Sequence, residues 1–132
     1  MAYSYTIDKK NRVARVKVTG HDTVFINKAR IAAITKDPDW KPGYNVLVDF
    51  RGTYKFDLSV PDIEELATLH RELEDVIGNG RLAVVAPDDV VYGVSRMWET
   101  VTEGHTFMTT YIFRNLRDAE EWLGIPPSGD GD

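Results

Sequence analysis

Asn45-Val46-Leu47-Val48-Asp49-Phe50 and Arg81-Leu82-Ala83-Val84-Val85-Ala86 carry the strongest fold signal in the chain. Each is a short, almost unbroken apolar run, without the alternation that marks a strand with one face in water. Runs of this kind suit strands covered on both faces by helices, as in a parallel sheet. Both are placed at the centre of the predicted sheet.

Between them, the segment from Pro61 to Ile77 carries Ile63, Leu66, Ala67, Leu69, Leu73, Val76 and Ile77 at helical spacing and stops at Gly78-Asn79-Gly80. Upstream, Asp37-Pro38-Asp39-Trp40-Lys41-Pro42-Gly43 reads as a connection, because two prolines and a glycine continue neither a helix nor a central strand. Before it, Asp22 or Thr23 caps a helix whose predicted buried stripe is Phe25, Ala29, Ala32 and Ala33. The chain opens with Tyr3 to Asp8 and Arg12 to Val18, two alternating segments joined by Asp8 to Asn11, which read as a β-hairpin. Downstream, Asp88 or Asp89 starts a helix with Val91, Val94, Trp98 and Val101 on one side and Gly104 as its stop. Phe107 to Phe113 reads as a strand, and Asn115 caps a last helix with Leu116, Ala119 and Leu123 on its apolar side, closed by Gly124.

The predicted order is β-β-α-β-α-β-α-β-α: an α/β domain with a mixed, mostly parallel sheet and helical cover. With 132 residues, of which 42% are apolar, the chain supplies one core and no second domain. The domain spans residues 1–125, and 126–132 form a polar tail with nothing to bury, expected to be disordered.

The chain has no cysteine, so thiolate chemistry, disulfides and sulfur-ligated zinc are absent together, and a cytoplasmic location is the default expectation. No apolar run approaches the ~20 residues of a transmembrane helix, and no signal-peptide pattern opens the chain. A formal charge of −5 with scattered basic residues argues against nucleic acid as a partner. His21, His70 and His105 show no metal-ligand spacing, so no metal is expected, and His70 reads as a boundary residue of its helix. Glu64/Glu65, Asp88/Asp89 and Glu120/Glu121 are sequence neighbours that point apart on a helix; they complement helix N-termini or solvate outer faces. No phosphate-loop, dinucleotide or hydrolase string appears, and no cofactor is expected.

Several local strings, taken in order, resemble the small single-domain SpoIIAA-like (STAS/Sec14) proteins. They are Pro42-Gly43 before an apolar strand ending in Asp49, Asp62-Ile63 opening a helix, Tyr92-Gly93-Val94-Ser95-Arg96-Met97 after a strand, and Ala119-Glu120-Glu121-Trp122-Leu123 at the close. The resemblance covers roughly residues 3 to 125 and implies a STAS-type fold, with regulatory protein contacts or lipid-like ligands rather than catalysis. Anti-sigma-factor antagonists of the wider fold carry a phosphorylatable serine in a D-S-x-G context after the strand that ends here at Asp49. This chain has Asp49-Phe50-Arg51-Gly52 there instead.

The nearest serine, Ser59, has two readings: a phosphosite at a helix N-terminus, or a capping serine with Asp62 three residues on. Asp49 likewise has two, a general base or ligand anchor at a strand's carboxyl end, or a carboxylate that shapes the following turn. Arg51, Tyr54 and Phe56 are placed in the loop after that strand, and Tyr92 and Arg96 at the start of the helix after the next one. Convergence of these side chains at one end of the sheet would form an aromatic cleft with guanidinium groups, suited to an amphipathic acid or a lipid headgroup with its chain.

Three functions follow as expectations. The first is a non-enzymatic binding module for an apolar or amphipathic, lipid-like small molecule, served by Asp49, Arg51, Tyr54, Phe56, Ser59, Tyr92 and Arg96; a co-purifying ligand or a pocket over ~300 Å³ would support it. The second is a regulatory protein-contact module or homodimer using Trp40, Tyr54 and Trp98. The third is an enzyme using Asp49 or Ser59.

Overall fold

A computed structural model describes residues 3–102 and 108–129 of the chain. Its elements are β1 (Tyr3–Asp8), β2 (Val13–Thr23), α1 (Val24–Lys36), β3 (Asn45–Asp57), α2 (Val60–Glu72), α3 (Glu74–Ile77), β4 (Arg81–Val85), α4 (Asp89–Thr102), β5 (Thr109–Phe113) and α5 (Leu116–Leu123). The α/β order expected from the sequence is present. The five strands form one sheet in the order β1-β2-β3-β4-β5, with β1 antiparallel to β2 and the other neighbours parallel.

That order decides where the helices go. Each parallel strand lies beside its predecessor, so right-handed crossovers all moving in one direction bring their helices to the same face. Ile34 of α1, Ile77 of α3 and Val91 of α4 accordingly share one core with Val16, Val48, Phe50 and Val84 of the sheet. The opposite face is left to α5, whose Leu116, Ala119 and Leu123 cover Val13, Leu47, Ala83 and Val85. The alternation Val46, Val48, Phe50 against Leu47 is the two-residue period of a strand buried on both sides.

The sheet is extended beyond what the sequence pattern implied. β3 runs to Asp57, so Arg51, Tyr54 and Phe56 lie in a strand, where a loop was expected. Its partner is the second half of β2, reached through register shifts between Lys17 and Thr19 and between Gly20 and His21. These irregularities break the simple alternation and conceal the strand from a periodicity reading. The predicted helix from Pro61 to Ile77 is interrupted at Leu73 and forms α2 and α3.

Two helix faces differ from expectation. Phe25 is 77% exposed and Ala29 is also exposed, while the residues of α1 buried against the protein are Asn27, Arg30 and Ile34. Glu120 is buried as well, where an outer-face carboxylate was expected. It pairs with Arg15 at 2.8 Å and accepts the Ser128 backbone N–H at 2.9 Å. Arg15 also donates to the Pro126 carbonyl at 2.8 Å. Gly104, read as a helix stop, and Phe107, read as a strand start, lie outside the described residues, as does His105.

The connection before β3 is closed against the end of α3. Trp40, 6% exposed, donates its indole N–H to the Val76 carbonyl at 2.8 Å. Gly78 has a φ of 80°, and a Cβ there would collide with the backbone of Gly43; a Cβ on Gly80 would collide with the Tyr44 carbonyl. Only glycine allows these two chain segments to approach so closely.

Candidate functional site

Between the sheet and helices α1, α2 and α4 lies a cavity of about 120 Å³. Its walls are mostly apolar: Val48, Phe50 and Val84 rise from the sheet, Ile34 from α1, Ile63 and Leu66 from α2, and Trp98 from α4. The volume is below the ~300–1,000 Å³ of a drug-sized pocket and close to the ~150 Å³ of an apolar cavity that admits benzene. Five polar side chains also line it: Asn27, Arg30 and Thr35 of α1, His70 of α2 and Ser95 of α4; the Thr35 hydroxyl donates to the Ile31 carbonyl at 2.8 Å.

The polar groups of α1 are engaged with one another. Asp22, with no exposed surface, accepts from Arg30 Nη1 at 3.1 Å and from Asn27 Nδ2 at 3.0 Å. Arg30 Nη2 donates to Asn27 Oδ1, and Asn27 Nδ2 also donates to the Thr23 carbonyl at 2.8 Å. Burial pulls the guanidinium of Arg30 below its ordinary pKa, and the Asp22 carboxylate opposes that shift. The guanidinium also stands 5.7 Å from the centre of the Phe50 ring. Thr23, as N-cap, accepts from the Ile26 N–H at 3.2 Å and fixes where α1 starts.

His70 and Ser95 differ from this network. His70 Nδ1 lies 2.9 Å from the Leu66 carbonyl, an acceptor, so Nδ1 carries the proton. Its Nε2 has no hydrogen-bond partner among the described residues and is not sealed from solvent. Surrounding protein lowers the His70 pKa by desolvation; the Leu66 bond works against this, and the nearby Arg30 charge adds to it. The ring meets Trp98 edge to face at a centroid distance of 4.9 Å. Ser95 is 5% exposed, and its hydroxyl likewise has no partner among the described residues and is not sealed off. One helical turn separates Ser95 from Trp98, so the two share a face of α4.

The seven residues singled out from the sequence do not assemble into one cleft. Phe56 lines the cavity and meets Phe50 edge to face at 5.1 Å. Asp49, 6% exposed, accepts Arg51 Nε at 3.0 Å on both oxygens, Arg51 Nη2 at 2.8 Å and the Arg51 backbone N–H at 2.9 Å. Ser59 and Asp62 form a complete capping box on α2, each side chain accepting the other's backbone N–H, at 3.2 and 3.0 Å. Tyr92 lies under the Arg114 guanidinium at 4.0 Å from its ring centre. Arg96 is exposed and pairs with Glu99 at 3.6 Å, and Tyr54 is 82% exposed. Of the three residues expected to offer a contact surface, Trp40 is buried and Trp98 half-buried; Tyr54 alone is exposed.

Asn27, Arg30 and Ser95 were missed as site residues, and a signal was available for each. Asn27 and Arg30 recur at the spacing that ends in Ile34, while Ser95 stands on the stripe of Val91 and Trp98. Polar residues at stripe positions face the core and must find partners there or a ligand. Among the described residues no cluster of His, Asp and Glu is arranged to hold a metal ion, and no helix is long and apolar enough to cross a membrane.

Comparison of the sequence with protein-family models and with curated proteins returned no match.

Proposed function

We propose that this protein is a binding module for a small apolar or amphipathic molecule, held between the sheet and helices α1, α2 and α4. One observation carries the reading: an apolar cavity of about 120 Å³ whose wall includes two side chains, His70 and Ser95, with polar atoms unpaired among the described residues. A well-packed core leaves few spaces of this size, and a polar group that lines one is met by water or by a ligand. The SpoIIAA-like, STAS-type assignment belongs to the same proposal. Its support is the element order and the mixed five-stranded sheet, and it favours binding over catalysis.

The enzymatic alternative through Asp49 or Ser59 requires both side chains to leave the bonds that hold them, with Arg51 and with Asp62. The alternative of a regulatory protein contact or homodimer draws on exposed Phe25 and Tyr54.

The test is a titration with benzene, followed by methyl resonances of the protein. Saturable shifts confined to Ile34, Val48, Ile63, Leu66 and Val84 are expected. Unmoved wall methyls at saturating benzene would end the cavity reading.

A further inference from the structure

The polar atoms left over in the cavity define the functional group that its occupant must carry. His70 supplies an acceptor: with Nδ1–H committed to the Leu66 carbonyl, the neutral ring presents Nε2 as a lone pair. Ser95 supplies a hydroxyl that both donates and accepts. Trp98 joins the two, since it shares a helix face with Ser95 and touches the His70 ring.

Among the described residues the cavity offers no free counter-charge. Arg30, the one guanidinium or ammonium on its wall among the described residues, is held by Asp22 and Asn27, and Asp22 is its buried counter-ion. Bringing a carboxylate or phosphate into this apolar space would leave the anion without a free cationic partner, at a large desolvation cost. A bare hydrocarbon has the opposite fault, because it would leave Nε2 and Oγ unmet. A neutral hydroxyl answers both atoms at once, donating to Nε2 and accepting from Ser95. Size and walls limit the rest of the molecule. About 120 Å³ accommodates one ring, and the rings of Phe50, Phe56, Trp40 and Trp98 favour an aromatic one.

We infer that the site selects a neutral, single-ring hydroxyl compound, a phenol in class, read by His70 Nε2 and Ser95 Oγ. This rests on the cavity reading above and goes further by naming the functional group. Burial keeps His70 in the neutral form that the acceptor role needs.

The experiment compares phenol, toluene and benzoate on the full chain by calorimetric or NMR titration, at a pH above 7. Phenol is expected to bind roughly 5- to 10-fold more tightly than toluene, the scale of one net hydrogen bond. Benzoate is expected to bind most weakly. Ser95→Ala and His70→Phe should each remove most of the phenol advantage and leave toluene within about twofold. The ¹⁵N resonance of His70 Nε2 should move on adding phenol but not on adding anisole, a readout that needs no variant to fold. Equal binding of phenol and toluene, with toluene saturating the wall methyls, would overturn the hydroxyl inference and leave the cavity reading standing. Tighter binding of benzoate would overturn the neutrality argument. Failure of all three to bind would bring down both readings.

Discussion

Asp22→Ala is the substitution that most directly tests how α1 is held. Asp22 has no exposed side-chain surface and Arg30 only 9%, with 3.1 Å between them. Removing the carboxylate takes away two hydrogen bonds, to Arg30 Nη1 and to Asn27 Nδ2, and leaves a guanidinium buried without a counter-ion. Breaking one side of a buried pair in this way costs about 3–5 kcal/mol, most of it the desolvation penalty of the stranded charge. With a urea dependence of about 1.5 kcal/mol per molar for a chain of this size, the unfolding midpoint should fall by about 2–3 M. The double variant Asp22→Leu/Arg30→Met separates charge from packing, since replacing both members with apolar groups is often neutral or stabilising. It should be more stable than Asp22→Ala, while Asn27 keeps its bond to the Thr23 carbonyl. Equilibrium urea unfolding by circular dichroism and tryptophan fluorescence measures all three chains. A loss below about 1 kcal/mol in Asp22→Ala, the scale of an exposed ion pair, would refute the reasoning.

Other consequences are open to the same measurements. His70 has its folded-state pKa lowered by burial, so the unfolded chain takes up its proton first: stability should be fully present above about pH 6.5 and decline as the pH falls toward the lowered value. Subtracting the pH profile of His70→Phe from the wild type isolates that slope, and parallel profiles would show that His70 is not desolvated. Ser59→Ala removes one arm of the capping box and should cost about 1 kcal/mol in urea unfolding. Gly93→Ala in α4 meets nothing within 4 Å and should gain about 0.5–1 kcal/mol in helix propensity, whereas Gly80→Ala, aimed at the Tyr44 carbonyl, should destabilise.

The fold was legible where side-chain period and burial agree. The two apolar runs sit in adjacent parallel strands because both their faces are covered, and the N-cap at Asn115 is made by its side chain accepting the Asp118 N–H at 2.9 Å. Legibility failed where tertiary partners overrule local pattern. Phe25 and the alanines of α1 looked like a buried stripe, but Asp22 offers partners to Asn27 and Arg30 that no local reading of the helix reveals. Arg51 to Phe56 looked like a loop because bulges in the β2–β3 ladder disturb the two-residue period that a strand is recognised by. The candidate site was misplaced for a related reason. Residue type marked Asp49, Arg51, Ser59 and Arg96 as chemically capable, but capability is lost when such groups bind one another. Sequence spacing shows that only for the serine cap.

Most of the chemically capable side chains are already bound to one another. At the carboxyl end of the sheet, where open α/β folds place ligands, Asp49 is spent on Arg51, and Arg114 on Asp89 and Tyr92. At the start of α2 the capping box spends Ser59 on Asp62. Between the end of β2 and α1 the buried charges cancel in the Asp22–Asn27–Arg30 network. His70 and Ser95 line the cavity, and His70 Nε2 and Ser95 Oγ have no hydrogen-bond partner among the described residues. Packed cores leave few spaces of this size, and polar side chains that line one are met by water or by a ligand. Under the proposal made above, an occupant that fills the space and bonds both side chains, which stand on neighbouring helices beside the Trp98 ring, takes the place of that water.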